Sequence, residues 1–355
     1  MKFVTQRKTK DMAYEVTIGI PLYKSKDYIR QTMLSALNQS CEQLEILVVD
    51  DCGNDGSLAI VEDLQEHHPR GKDIHILHND GNKGVGPSRN RLIEEAQGRY
   101  LYFLDSDDVI EPNTIELLLT TIKKHHAEVV YASYEKVDRV NNAEPSLLFQ
   151  YTKQVFRHEY ELATYAFRNY GKFQTSVCNC LIDLTFLRES KLRFIDAMFW
   201  EDMAFTYELV TRVRRAVLLP DVTYHYLCRP YSLSNYQDRE QLNHEEILKN
   251  VSTIDYLKWQ CVKLREKPYI PYMCYNLEMN SFYIVCHVLK HAHQIVPAIS
   301  NSELHQYMHF PLPLKRVLSF RRKFWGNFCL WFIAHLPTAL FIPIIKFIGR
   351  KKGVL

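Results

Sequence analysis

The chain has no pair of cysteines at CxxC spacing, although it contains nine cysteines. Cys41, Cys52, Cys178, Cys180, Cys228, Cys261, Cys274, Cys286 and Cys329 are odd in number and scattered, which excludes a zinc ribbon and gives no disulfide framework. Buried thiols in a reducing compartment are the expectation. Acidic residues are missing from one whole region. After Glu303 there is no Asp or Glu, yet Lys315, Arg316, Arg321, Arg322, Lys323, Lys346, Arg350, Lys351 and Lys352 follow. These nine exceed the formal net charge of +3, so the rest of the chain is net acidic and no nucleic-acid-binding core is indicated. Residues 1–10 are basic and polar with no apolar core, so neither a signal peptide nor export from the cytoplasm is expected. Internal repeats and low-complexity segments are absent too.

What is present is the composition of a globular protein, 46% hydrophobic over 355 residues, enough for one large α/β domain plus attachments. Short apolar runs at 16–20, 46–49, 74–77, 100–104 and 129–132 read as strands. Helical periodicity falls between them: Ile29, Met33, Ala36 and Leu37 share one face, with Ser25 or Asp27 as candidate N-cap, and Ile115, Leu118, Leu119 and Ile122 share another. Strands buried on both faces and separated by helices imply a mostly parallel sheet flanked by helices. Beyond residue 135 the rhythm changes. Residues 138–155 read as a polar loop, 158–169 and 200–212 as helices, 176–187 as a strand and turn, 217–227 as a strand, and 240–309 as helical.

Ligands of open α/β sheets bind beyond the carboxyl ends of the strands. Here those ends are Pro21-Leu22-Tyr23, Asp50-Asp51 with Asp55-Gly56-Ser57, Asn82-Lys83-Gly84 with Ser88-Arg89-Asn90, and Asp105-Ser106-Asp107-Asp108. Two are rich in carboxylates. Such crowding is tolerable beside a hard cation, and oxygen ligands suit Mg²⁺ or Mn²⁺. Taken alone, the acidic run also reads as a turn that caps the following helix, which Pro112 helps start.

In this order and spacing the segments resemble the nucleotide-sugar half of family 2 glycosyltransferases. Trp200-Glu201-Asp202 with Phe205, and Tyr224-His225-Tyr226 with Arg229, Ser232 and Ser234, extend the likeness, which covers roughly residues 15–235. The resemblance implies a GT-A fold and these roles. Pro21 and Tyr23 border the base pocket, Asp51 accepts a hydrogen bond from the base, and Arg89 lies near base or phosphates. Asp105 binds ribose or the metal, and Asp107 ligates the metal bridging the diphosphate. Asp202 is the general base, with Glu201 orienting it or the acceptor, and His225 and Arg229 touch the departing diphosphate. Leu227 stands where the family usually has another basic residue.

The chemistry of the residues is compatible with these roles. Transfer needs leaving-group stabilisation, which a divalent cation supplies, and one carboxylate base for a single displacement with inversion. The expected partners are a nucleotide-diphosphate sugar donor and a glycan or lipid-linked glycan acceptor of surface polysaccharide synthesis. Two other readings are a non-catalytic glycan-binding or scaffold protein and a sugar-nucleotide nucleotidyltransferase. The latter lacks its glycine-rich basic loop, since Leu22-Tyr23-Lys24-Ser25 follows the first strand. His67-His68 and His125-His126 are expected to be solvated, and Cys178 and Cys180 to pack.

The expected organisation is a flexible segment over 1–13 and a catalytic domain over 14–235. That domain divides into a nucleotide-sugar half, 14–135, and an acceptor half, 136–235. A helical extension over 236–310 and a basic, apolar tail over 311–355 follow. Residues 324–345 carry no charge and are rich in aromatics, but Pro337 and Pro343 interrupt them. An interfacial helix pair on the inner face of the cell membrane fits this tail better than a span; helices packed on the core are the other reading.

Overall fold

The structure, a computed structural model, describes residues 14–138, 144–197, 200–228 and 242–355. Its strands are β1 (Tyr14–Leu22), β2 (Leu44–Asp50), β3 (Ile74–His78), β4 (Gly98–Phe103), β5 (Val109–Ile110), β6 (Val129–Val137), β7 (Ser146–Phe149), β8 (Gln154–Phe156), β9 (Cys180–Asp183), β10 (Ala216–Leu227), β11 (Leu242–Asn243) and β12 (Ile295–Val296). Its helices are α1 (Ile29–Leu37), α2 (Ser57–His67), α3 (Val85–Glu95), α4 (Thr114–His125), α5 (Glu161–Arg168), α6 (Leu184–Glu189), α7 (Glu201–Arg212), α8 (His244–Lys263), α9 (Ile270–Lys290), α10 (Asn301–Gln306), α11 (Leu314–Leu318), α12 (Phe324–Ala334) and α13 (Thr338–Lys351).

The chain forms two compact units. The first holds residues 1–159, 176–194 and 212–230, and the second 160–175, 195–211 and 231–355. α5 and most of α7 belong to the helical unit.

In the first unit the main sheet runs β3-β2-β1-β4-β9-β6-β10-β5, with β7 on β6 and β8 on β10. β1, β2, β3 and β4 are mutually parallel, β9 is antiparallel to β4 and β6, and β10 is parallel to β6. β1 from Val16 on and the whole of β2 are buried, as in strands covered on both faces. Ile18, Ile20, Met33, Leu37, Ile46, Val48, Leu118 and Val130 are fully or almost fully buried in its core. Residues 138–155 are not simply a loop, since β7 and β8 lie in them. Nor does Ser25 or Asp27 cap α1 by its side chain. The helix begins at Ile29, and the backbone carbonyl of Ser25 accepts from the N–H groups of Tyr28 and Ile29 at 3.0 and 2.8 Å.

The second unit is built on α8 and α9. Phe167 of α5 packs edge-on to Tyr207 of α7 with ring centroids 4.9 Å apart, and its carbonyl accepts from Asn276 Nδ2 at 2.9 Å. An ion pair is sealed between the long helices. Lys258 Nζ lies 2.9 Å from Glu278 Oε1 and donates to the His309 carbonyl at 2.8 Å, and both side chains are essentially inaccessible. Burial pushes the Glu278 carboxyl up to about 7, and Lys258 pulls against it.

Removing one partner of a buried pair costs about 3–5 kcal/mol, whereas replacing both by apolar groups can be neutral. Lys258→Met should therefore lower the unfolding free energy by about that much at neutral pH, and Lys258→Met/Glu278→Leu by far less. A group whose folded-state pKa is raised loses stability as pH rises. The Lys258→Met penalty should thus shrink toward pH 5, where Glu278 is protonated. Denaturant titrations of the four proteins at two pH values check this.

Candidate active site

In the first unit the carboxyl ends of β1, β2, β3 and β4 lie side by side, because those strands are parallel and adjacent. Their loops store local strain. Lys24, Cys52 and Asn54 adopt positive φ values of 48°, 58° and 51°, a conformation that side chains other than glycine adopt at a cost and that clusters at functional sites. Pro21 is buried on β1 opposite Val49. Tyr23 just beyond is 39% exposed, with Lys24 Nζ 5.2 Å from its ring centroid.

Asp51 is buried and already well used. Its carboxylate accepts from Asn79 Nδ2 at 2.7 Å and from the N–H groups of Lys83 and Gly84 at 2.8 Å each. Gly84 takes φ +91° as it leads into α3, so this backbone turn favours glycine. A carboxylate has about four lone-pair positions, which leaves room for about one further donor. Asp55 accepts from Lys26 N at 2.9 Å and from Ser57 Oγ at 2.6 Å, pinning the loop after β1 to the start of α2. Burial pushes the Asp55 carboxyl up, but the Ser57 and backbone hydrogen bonds outweigh it and hold the group below its ordinary value.

Arg89 of α3 is 5% exposed at its side chain and donates to Asp105 Oδ1 at 2.7 Å, with its guanidinium 5.5 Å from the Phe194 ring centroid. Arg89 thus braces the first carboxylate of the acidic run. Asp105 and Asp107 remain half-buried. Ser106 is buried, its hydroxyl 2.5 Å from Ser25 Oγ.

Asp108, to which the sequence assigned no role, anchors the run. It is 2% exposed and accepts from the Tyr224 hydroxyl at 2.5 Å and the Leu227 N–H at 2.8 Å. Burial, then the neighbouring carboxylates of Asp107 and Asp105, push it well above the usual carboxylate range. The three carboxylates are therefore close enough to repel. Among the described residues no cluster of three His, Cys, Asp or Glu side chains has the arrangement of a metal site. A cation here would be held by Asp105 and Asp107, with phosphate and water oxygens completing its shell. The crowded, partly open pair fits a hard divalent ion.

His225 is committed elsewhere. Its Nδ1 lies 2.8 Å from Glu135 Oε1 and its Nε2 2.7 Å from Glu111 Oε1, so both ring nitrogens already face carboxylates. Arg229, Ser232 and Ser234 lie outside the described residues. In the second unit Glu201 and Asp202 open α7. Glu201 is buried, Asp202 is half-buried, and Asp202 Oδ1 accepts from the Met203 N–H at 2.7 Å. Carboxylates in a first helical turn are favoured as anions by the helix dipole.

These features define an α/β sheet with carboxylates at its strand ends, the architecture of the GT-A class. Residues 17–190 match the model of Glycosyl transferase family 2, and the chain belongs, over that stretch, to this family. A chondroitin synthase of Escherichia coli is 36% identical over 128 residues, 36% of this chain and 18% of that protein. The succinoglycan biosynthesis protein ExoO of Rhizobium meliloti is 28% identical over 232 residues, 63% of this chain and 64% of its own. The matched stretches thus span less than two thirds of either relative. The crystal structure of S. aureus TarS 1–349 in complex with UDP-GlcNAc superposes with a TM-score of 0.62 at 16% identity, covering 90% of each chain, which establishes the shared fold.

Tyr224→Phe should leave Asp108 Oδ2 buried without its donor, costing about 1–3 kcal/mol of stability. The acidic run should loosen with it. Thermal unfolding reads the first effect. Titration with a nucleoside diphosphate and Mn²⁺ reads the second as affinity weakened several-fold.

Proposed function

We propose that this chain is an inverting glycosyltransferase that moves a sugar from a nucleoside-diphosphate sugar to an acceptor hydroxyl. The observation that carries the reading is the acidic run at the end of β4. Asp105 is braced by Arg89 and Asp108 is locked by Tyr224, which leaves Asp105 and Asp107 at the strand ends. The donor class is supported by the UDP-GlcNAc in the S. aureus neighbour, and the acceptor class by the polysaccharide roles in the relatives' names. The acceptor would be a growing surface glycan or a lipid-linked one at the inner face of the cell membrane.

Tyr23 would stack on the base, Pro21 would border it, and Asp51 would use its remaining lone pair to accept from the base. Asp105 and Asp107 would hold Mn²⁺ or Mg²⁺, which when bound neutralises the charge growing on the diphosphate. Asp202 would take the proton of the acceptor hydroxyl as that oxygen attacks the anomeric carbon, and Glu201 would orient the acceptor. A single attack from the face opposite the leaving group inverts the anomeric configuration.

Two substitutions separate the roles. Asp107→Asn keeps shape but removes a charge. It should abolish the Mn²⁺-dependent part of the thermal shift produced by a nucleoside diphosphate and abolish transfer. Unchanged shifts would refute the cation site. Asp202→Asn should lower turnover by about 10²-fold or more, the scale of general-base catalysis, with donor affinity nearly unchanged. A collapse of donor affinity would place Asp202 in the nucleotide site instead.

A further inference from the structure

Helices α12 and α13 each have two apolar faces, and only one of the two is buried. On α12, Asn327 and Leu330 turn inward, and Asn327 Nδ2 donates to the Pro271 carbonyl at 2.8 Å. On α13, Phe341, Ile342, Ile345 and Gly349 are buried, and His305 stacks on Phe341 with centroids 4.5 Å apart. The opposite faces should be polar in a helix that merely covers a core. They are not. Trp325, Cys329 and Phe332 are exposed at helical spacing on α12, as are Leu340, Pro343 and Phe347 on α13. Trp325 is 73% and Phe347 60% exposed.

Cations surround these faces. Arg321, Arg322 and Lys323 precede α12, Lys346 and Arg350 lie on α13 with Lys351 at its end, Lys352 follows, and all seven are exposed. Lys351 Nζ lies 4.7 Å from the Phe347 ring centroid, so a cation sits directly beside an exposed aromatic ring. No helix in the described residues is long and apolar enough to cross a membrane. Helices of 11 and 14 residues are shorter than the roughly 20 that a span needs.

We propose that the outward face of α12 and α13 docks flat on an anionic lipid bilayer, with Trp325, Phe332, Leu340 and Phe347 entering the headgroup layer and the lysines and arginines pairing with lipid phosphates. Charge selects this occupant over a second copy of the chain, because two such faces would bring like charges together with no acidic residue beyond Glu303 to offset them. The proposal extends the lipid-linked acceptor reading above, but the face itself stands independently of it.

The test is flotation of the full chain with vesicles of phosphatidylcholine alone or containing phosphatidylglycerol. The protein should float with the anionic vesicles, and salt should loosen it only partly because the apolar contacts remain. Trp325→Glu/Phe347→Glu, both at exposed positions, should cut binding tenfold or more. Arg350→Gln/Lys351→Gln/Lys352→Gln should do so by about tenfold or more, since each basic side chain near an anionic surface contributes. The nucleotide thermal shift should be the same in all three proteins. Failure of the parent chain to float, or undiminished flotation of both variants, overturns the proposal. A dimer in light scattering that Trp325→Glu/Phe347→Glu dissociates overturns it too, and identifies the face as a contact between copies. Intact flotation with no nucleotide shift in any protein would remove the glycosyltransferase reading and leave the docking face standing.

Discussion

A single buried carboxylate organises the first unit. Asp108 has no solvent to hydrate it, and its neighbours Asp105 and Asp107 make ionisation harder still. It is tolerable only because Tyr224 and the Leu227 N–H donate to its two oxygens. That requirement ties β10, formed late in the chain, to the loop that follows β4. The same region is stitched again by the Glu111 N–H to the Thr223 carbonyl at 3.0 Å and by Thr114 Oγ1 to that carbonyl at 2.9 Å. Asn179 fills the space beneath. Fully buried, it donates to the Ala132 and Ser133 carbonyls and accepts from Tyr102 and Thr223.

Asp108 is thus fixed at both of its oxygens. Asp105 is further held by Arg89, whose guanidinium is itself confined against Phe194. Asp51 shows the same economy. Its hydrogen bonds to Asn79, Lys83 and Gly84 make it the strut of the loop before α3 and leave about one acceptor position to spare. Several acidic residues here therefore act first as scaffold. A substitution at Asp51 would disturb loop geometry along with any ligand contact.

The strands of the first unit were legible because burial on both faces leaves uninterrupted apolar runs, as in Ile46-Leu47-Val48-Val49. β7 was not, because its apolar run is only Leu147-Leu148-Phe149, set in a polar stretch, and the strand lies mostly exposed. Residue types at the strand ends were legible, but their partners were not. Asp108 and Tyr224 stand 116 positions apart, and nothing in local spacing announces the bond. The partners of His225 were hidden for the same reason: its basic chemistry was readable, but the two glutamates that face its nitrogens come from β6 and from the segment before α4. Lys258 and Glu278 look like ordinary surface charges on two amphipathic helices until packing encloses them.

The tail combines a packed face with an exposed apolar one. A sequence apolar on every side of a helix fits either a buried element or one that meets a non-aqueous phase. Here α12 and α13 pack one side on the helical unit. A Cβ on Gly326 would come within 2.7 Å of the Tyr275 ring, and one on Gly349 within 3.1 Å of Cys286 Sγ, so that contact is close. Their other side keeps large aromatic groups in water. Shedding the tail would therefore uncover α9 as well as remove the outward face, and the two effects would be confounded. Changing only Trp325 and Phe347 leaves the inner packing in place, because both side chains already point away from it.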